Sequence, residues 1–364
     1  MKIVVLQDYL RYGGTERQAV GLSDNFQQDG HNVTLLTFRP GGRLAAEANA
    51  RGIHHIDLQP FDTDMDWFAP GLLHQIKEED PDVILCMGRM ANGYGNNIQK
   101  HCPESLVVCT SRTDRTLTKS NIKTFKTTDL KAVVANSKWW AKYLIEQGVK
   151  KEKIHSINSS NTRSWELPKN KKLRTQVRRD LKATQKTFIL LNISTTEKGK
   201  KQSQVIQNCA QLDKKLNWNL WLIGGNHALN KFAAEKLGIA DRVKCIDYQS
   251  DPYPYYLGAD LALTTSLEDS QSTFVIEAQS LGLPVVAYDH HDMKEYFENK
   301  KTGFLIPEGR RKLFVSAIVK LATDPALRKQ MHDRAIEASS SHFSGKLQSE
   351  KYLKLFRTLN PELN

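Results

Sequence analysis

Short apolar runs with strand character alternate with helix-length amphipathic segments along nearly the whole chain, and few folds tolerate that rhythm. It is the pattern of parallel sheets covered by helices. In the first half the runs fall at residues 3–7, 33–38, 54–58, 83–87, 106–110, 132–135 and 154–157. Several are almost continuously apolar, as strands buried on both faces must be. Helical stretches lie between them at 15–28, 70–79 and 138–147. The segment 158–172, rich in Ser, Asn, Pro and Lys, interrupts the alternation and reads as a linker. A second series then begins, with strands at 188–193, 220–223, 243–246, 261–264, 285–288 and 304–306. Helices fit 201–215, 228–237, 273–281, 310–323 and 325–339, and an amphipathic stretch at 344–359 has no strand after it. The expected fold class is α/β: two Rossmann-like parallel-sheet lobes facing a central cleft, with a C-terminal helix crossing back to the first lobe. The expected divisions are 1–165, 166–343 and 344–364. A chain of 364 residues is long enough for two such domains.

Composition narrows the setting. The five cysteines (Cys86, Cys102, Cys109, Cys209, Cys245) are odd in number, scattered, and mostly set in apolar runs, which suits reduced, packed thiols better than a disulfide frame. No charged-then-apolar leader precedes the first strand, and no apolar run approaches 18 residues. The expected location is therefore cytoplasmic. The net charge of +12 is uneven: residues 112–186 hold 20 Lys and Arg against 6 Asp and Glu, so the remainder is close to neutral. Such a field draws polyanions, anionic membranes or phosphorylated ligands, or is merely a solvated basic face.

Ligands of open α/β sheets bind outside the carboxyl ends of the strands, and three segments at such places carry chemistry. Gly13-Gly14-Thr15-Glu16 follows the first strand and opens a helix. Glycines there let backbone N–H groups approach an anion, although a plain tight turn has the same composition. The spacing is not the G-x-G-x-x-G dinucleotide fingerprint. Glu197-Lys198-Gly199-Lys200 follows the first strand of the second series, where an ammonium can meet a pyrophosphate. The third segment, from Ser266 to Ala278, runs from a strand end into a helix. It sets Glu268 and Asp269 before a turn of Ser270, Gln271, Ser272 and Thr273, then places Glu277 in an apolar helix with Phe274, Val275 and Ile276. A carboxylate in such surroundings needs a partner.

In order and spacing these residues resemble the retaining, two-lobed (GT-B fold) glycosyltransferases of family 4. Gly13–Glu16 is similar to that family's G-G-x-E loop, Val134-Ala135-Asn136-Ser137 to its V-x-x-S segment, and Glu197-Lys198-Gly199 to its K-G turn. Leu222–Gly225, Ala259–Ser266, the helix carrying Glu277-Ala278, and Pro284–Ala287 continue the likeness, and Phe343 precedes what resembles the terminal crossing helix. The resemblance implies metal-independent transfer, with no cofactor beyond a nucleotide-diphosphate sugar co-substrate. It implies a saccharide or lipid-linked saccharide acceptor, in cell-surface polysaccharide or lipopolysaccharide synthesis. Carried over residue by residue, Lys198 and Gly199 hold the diphosphate and Glu277 binds the ribose. Asp269 (with Glu268) to Thr273 meets the sugar, Gly13 and Gly14 lie by the phosphates, and the base rests near 245–250, with Tyr248. Lys198, Asp269 and Glu268 form the expected catalytic set.

Departures from the pattern are equally specific. Asp269 stands where the family's first Glu does, and Ser270, Gln271 and Ser272 replace its G-F-G. Ile193 occupies the position of an arginine often paired with the lysine, leaving Lys200, Lys201 or Arg112 to substitute. Arg112 and Asp114 resemble an arginine–aspartate acceptor-side variant. His290-His291-Asp292 is not read as a metal site, because adjacent loop histidines point different ways. The basic stretch suits a peripheral enzyme on the inner face of a membrane. Competing readings are a nucleotide-sugar epimerase of the same fold, an inactive relative, and a nucleic-acid binder, the last lacking any recognition motif. No nucleic-acid partner is expected.

Overall fold

The apolar runs become strands that pair only in parallel among the described residues, and inner strands such as Val83–Cys86 and Leu106–Ser111 are buried on both faces. The computed structural model describes residues 1–11, 13–112, 117–161, 170–194, 201–266 and 272–363. Two compact units divide the chain: Met1–Arg163 together with Phe343–Asn364, and Ser164–His342.

The first unit follows the order β1 (Lys2–Gln7), α1 (Gly14–Gln28), β2 (Asn32–Thr37), α2 (Ala45–Ala50), β3 (His54–Asp57), α3 (Leu72–Glu79), β4 (Val83–Cys86). It continues with α4 (Arg89–His101), β5 (Leu106–Ser111), α5 (Lys119–Lys126), β6 (Ala132–Ala135), α6 (Lys138–Glu146) and β7 (Ile154–Ser156). Its seven strands lie in the order β3-β2-β1-β4-β5-β6-β7. The order reverses direction between β1 and β4, which opens a crevice at their carboxyl ends. Alternate strand residues feed two cores. Ile3, Val5, Leu35 and Val108 pack with Phe26 of α1, and Val4, Leu6, Ile84 and Val107 pack with helices α3 to α6.

The second unit begins with α7 (Lys171–Asp180), then β8 (Phe188–Ile193), α8 (Gln202–Cys209), β9 (Trp218–Ile223), α9 (His227–Lys236), β10 (Val243–Ile246) and α10 (Tyr253–Gly258). It ends with β11 (Leu261–Thr264), α11 (Thr273–Ser280), β12 (Val285–Asp289), β13 (Gly303–Pro307), α12 (Arg311–Thr323) and α13 (Pro325–His342). Its six strands take the order β10-β9-β8-β11-β12-β13, with the reversal between β8 and β11. Leu190, Leu220 and Leu263 face α8, α9 and α12, while α7, α10 and α11 lie outside that core.

The last helix, α14 (Gly345–Leu359), packs on α1 of the first unit. Tyr352 and Phe356 meet Phe26 at ring-centroid distances of 6.3 and 6.0 Å. Beside them Gln18 donates to the Ser160 carbonyl (2.7 Å) and the Ser160 hydroxyl donates to Gln348 (2.8 Å). Residues 158–161, expected as linker, are thus part of the first unit's packing. The other end of the expected linker is also corrected, since Lys171 and Lys172 open a capped helix with Asn170 accepting from the Leu173 N–H.

Candidate functional site

Each sheet brings its chemistry to the carboxyl edge, at the point where strand order reverses. In the first unit that point is held by Asp8, the residue after β1. Its carboxylate accepts the Met90 and Ala91 N–H groups (2.9 and 2.8 Å), capping α4, which follows β4. Gly88 is required at that contact, because a Cβ there would stand 2.1 Å from the Asp8 carboxylate. Burial outweighs the two N–H groups and pushes the Asp8 carboxyl up to about 6. Close by, α1 starts at Gly14 with Gly13 as its cap, and the Glu16 carboxylate folds back to within 2.0 Å of where a Cβ on Gly13 would stand. Desolvation raises this carboxyl too. The helix start expected to receive a ligand anion therefore already carries a carboxylate of its own.

Arg39, after β2, organises the neighbouring loop. Its guanidinium, 7% exposed, reaches Asp62 (2.8 Å), Asp64 (2.7 Å) and Asp66 (2.7 Å) and lies 4.3 Å from the Tyr9 ring centroid. Loop residues Phe61 and Trp67 are left exposed.

In the second unit β8, β9 and β11 end together. Gly224 and Gly225 follow β9 at φ 68° and 75°, and a Cβ on Gly224 would meet the Ser194 carbonyl at 2.4 Å. Behind them Gln202 donates to Asn192 (3.0 Å) and accepts from Asn230 (2.7 Å), fixing the first turn of α8. Lys201 caps that helix in a left-handed conformation, its carbonyl accepting from Thr265 (2.9 Å). Helix α11 begins at Thr273 after Ser272. On its second turn Glu277, buried, accepts a 2.7 Å hydrogen bond from the Tyr256 hydroxyl of α10. Tyr256 is the partner that the apolar setting of Glu277 demanded.

The structure thus brings Lys201, Ser272, Thr273 and Glu277 to one edge of one sheet. Tyr248, after β10, is 40% exposed at that same edge. Gly13 and Gly14 lie at the carboxyl edge of the other sheet. Lys198, Gly199, Glu268, Asp269, Ser270, Gln271 and Asp114 lie outside the described residues. Arg112, expected on the acceptor side, is enclosed within the first unit. It is 5% exposed, donates to the Ser159 hydroxyl, has its carbonyl bonded by Asn136 (3.0 Å), and touches Tyr352 of α14. A guanidinium so enclosed ties the end of β5 to the terminal helix. Among the described residues no group of three or more His, Cys, Asp or Glu is placed to hold a metal. None of their helices is long and apolar enough to cross a membrane.

Sequence reasoning missed Asp8, Arg39 and Tyr256. Asp8 carried a usable signal, as a carboxylate directly after the first strand. Tyr256 lies 21 residues from its partner in a Tyr-Pro-Tyr-Tyr run with no readable period.

Two doubly wound parallel sheets with polar residues at the carboxyl ends of their strands are the architecture of the GT-B fold, and comparison with known proteins supplies the class. The model for glycosyl transferases group 1 matches residues 174–338, and that for glycosyltransferase family 4 matches 12–159. The chain belongs to this glycosyltransferase family. It is 26% identical to an uncharacterised glycosyltransferase of Haemophilus influenzae over 89% of this chain and 90% of that one. A lipopolysaccharide core biosynthesis glycosyltransferase of Rhizobium meliloti is 23% identical over 49% of this chain and 52% of its own length. In fold the chain matches Anabaena HepE, solved in complex with UDP and glucose, at a TM-score of 0.83 and 18% identity, covering 98% of this chain and 100% of that one.

Proposed function

We propose that this glycosyltransferase moves a sugar, with retention at the anomeric carbon, from a nucleoside-diphosphate sugar to a saccharide or lipid-linked saccharide acceptor in cell-surface polysaccharide or lipopolysaccharide synthesis. The observation that carries the donor assignment is Glu277. It is a buried carboxylate one turn inside α11, oriented by Tyr256 at the reversal of strand order. A carboxylate so fixed accepts two vicinal hydroxyls, which a ribose supplies. The lipopolysaccharide relative in Rhizobium and the UDP and glucose held by the Anabaena neighbour support the substrate classes.

In this mechanism Lys198 and the start of α11 stabilise the departing diphosphate, an electrostatic task that needs no metal. Residues 268–273, with Asp269 and Glu268, meet the sugar. The bond from the anomeric carbon to the diphosphate oxygen breaks as the acceptor oxygen bonds to the same face. The acceptor's hydroxyl proton passes to the leaving phosphate. Thermal-shift screening against UDP-, GDP-, ADP- and CMP-sugars identifies the donor, since a ligand bound only by the folded state raises Tm. With that donor, Lys198→Ala lowers transfer by about 3 kcal/mol of barrier, roughly 100-fold. Unchanged turnover removes Lys198 from the role. No shift with any sugar nucleotide removes the reading itself.

A further inference from the structure

The second unit holds a cavity that the transfer chemistry does not use. It lies at the amino edge of the sheet, opposite Ser272 and Thr273, where Asp260 precedes β11 and Pro284 precedes β12. Helix α7 begins at its rim with Lys171, and α13 lines another wall. Its volume is about 360 Å³, within the range of small-molecule sites.

The lining mixes two chemistries: apolar Leu257, Leu281, Leu283 and Pro284, and Lys171, Arg174, Arg328, Lys329 and His332 against one carboxylate, Asp260. That carboxylate is already committed: it pairs with Arg174 (2.7 Å) and Arg178 (2.5 Å) and accepts the Ile189 N–H (2.8 Å). Lys329 has Asp333 at 2.6 Å on its own helix. Arg328 stacks over Phe188 at 5.2 Å and spends one N–H on the Leu321 carbonyl; neither it nor Lys171 has a carboxylate partner among the described residues. The cavity thus has a cationic excess that no described protein group neutralises, set among apolar side chains.

One wall residue also reaches the donor side. Tyr256 lines the cavity, stacks on Phe274 at 6.0 Å, and donates its hydroxyl to Glu277. We propose that the cavity binds a small organic phosphate of hexose-phosphate size, and that its occupancy alters donor affinity through Tyr256 and Glu277. The phosphate meets Lys171, Arg328 and Lys329, and the carbon skeleton lies on Leu281 and Pro284. The second half of the proposal rests on the assignment of Glu277 to the donor; the first half does not.

The test uses the full chain carrying Lys198→Ala, so that the cation assigned to the donor diphosphate does not contribute. Titration calorimetry with glucose 6-phosphate is expected to show one site, with inorganic phosphate at least ten-fold weaker and glucose silent. The double variant Lys171→Glu/Lys329→Glu, which changes exposed positions, loses the sugar phosphate at least ten-fold and keeps the parent's melting temperature. Absence of binding at 10 mM (about the upper limit for a metabolite), or equal binding by the double variant, overturns the site. Equal affinity for inorganic phosphate overturns the organic ligand. Coupling is read in the otherwise unaltered chain, as a change of at least three-fold in donor affinity with glucose 6-phosphate present. Tyr256→Phe abolishes that change while sugar phosphate still binds. A change that persists in Tyr256→Phe overturns the route. If no sugar nucleotide binds while glucose 6-phosphate does, the Glu277 assignment falls and the cavity stands.

Discussion

Asp8 shows what a single residue contributes at the reversal of a parallel sheet. Its side chain replaces water for two N–H groups that helix α4 leaves unsatisfied, and burial makes the charged form costly. Its carboxyl is raised from an ordinary 3.8 to about 6, so between those values the folded chain holds more proton than the unfolded one. Stability from this residue is complete below pH 3.8 and falls as pH rises through 6. The full effect is roughly 3 kcal/mol at 1.36 kcal/mol per pKa unit. Asp8→Asn keeps an oxygen acceptor and removes the titration. Urea unfolding of both proteins at pH 4.5 and 7.5 is expected to show the variant gaining on the parent by roughly 2 kcal/mol at the higher pH. A gap that does not move with pH would show that Asp8 is ionised throughout.

Among the elements, α7 and α4 show best what sequence patterning conceals. Helix α7 has few apolar residues, yet it is anchored by charge. Arg178 is fully buried, donates to the Gly258 (2.8 Å) and Thr187 (3.0 Å) carbonyls, and with Arg174 clasps Asp260 at the start of β11. Arg178→Met fills the space but takes a donor from Asp260 and from the carbonyls of Gly258, Thr184, Gln185 and Thr187. Losing one partner of a buried pair costs about 3–5 kcal/mol, a Tm fall of roughly 6–20 °C for a unit of this size. Calorimetry that finds Tm within 2 °C (about 1 kcal/mol or less) would show the clasp to be dispensable. The family-like Ala259-Asp260 pair is therefore an architectural feature. The strands were legible because burial on both faces forces apolar runs; β6, β8, β10 and β11 fall at the boundaries that the runs suggested. Helix α4 was not legible, since Gly93, Gly95 and three asparagines obscure it. Gly95 is there for contact: a Cβ would stand 2.5 Å from the Cys109 sulfur. Asn92 is spent on the backbone of Thr110. Packing on β5 overrides propensity in this helix. At the candidate site, Glu277 could be found because a carboxylate in an apolar helix is conspicuous. Tyr256 could not, because its partner lies 21 residues away, whereas Asp8 showed only by its place directly after the first strand.

At the scale of the molecule, the basic excess acquires a location. Helices α5 and α6 pack on the same face of the first sheet through Phe125, Trp140 and Leu144. Their outward positions Lys119, Lys123, Lys126, Lys138 and Lys142 are exposed, as are Lys150 and Lys151 beyond them. Trp139 stacks on Tyr143 at 5.7 Å, partly exposed, among these lysines. Lysines flanking amphipathic aromatic rings suit a headgroup layer, where each cation contributes about 1 kcal/mol near an anionic surface. One local acid meets this face, Glu146, which lies 3.9 Å from Lys142. A peripheral association with anionic membrane follows as a prediction about the intact protein. Sedimentation with vesicles containing 30% anionic lipid (roughly the charge density at which a polybasic face binds) is expected to pull the chain down at low salt. About 0.5 M salt, which shortens the screening length to a few ångströms, releases it. Lys138→Glu/Lys142→Glu/Lys123→Glu weakens binding by at least 100-fold, because three cations of about 1 kcal/mol each are lost and reversed, while donor-induced thermal shifts stay as in the parent. Equal pelleting with neutral and anionic vesicles would instead make the lysines a solvated face that keeps the protein dispersed.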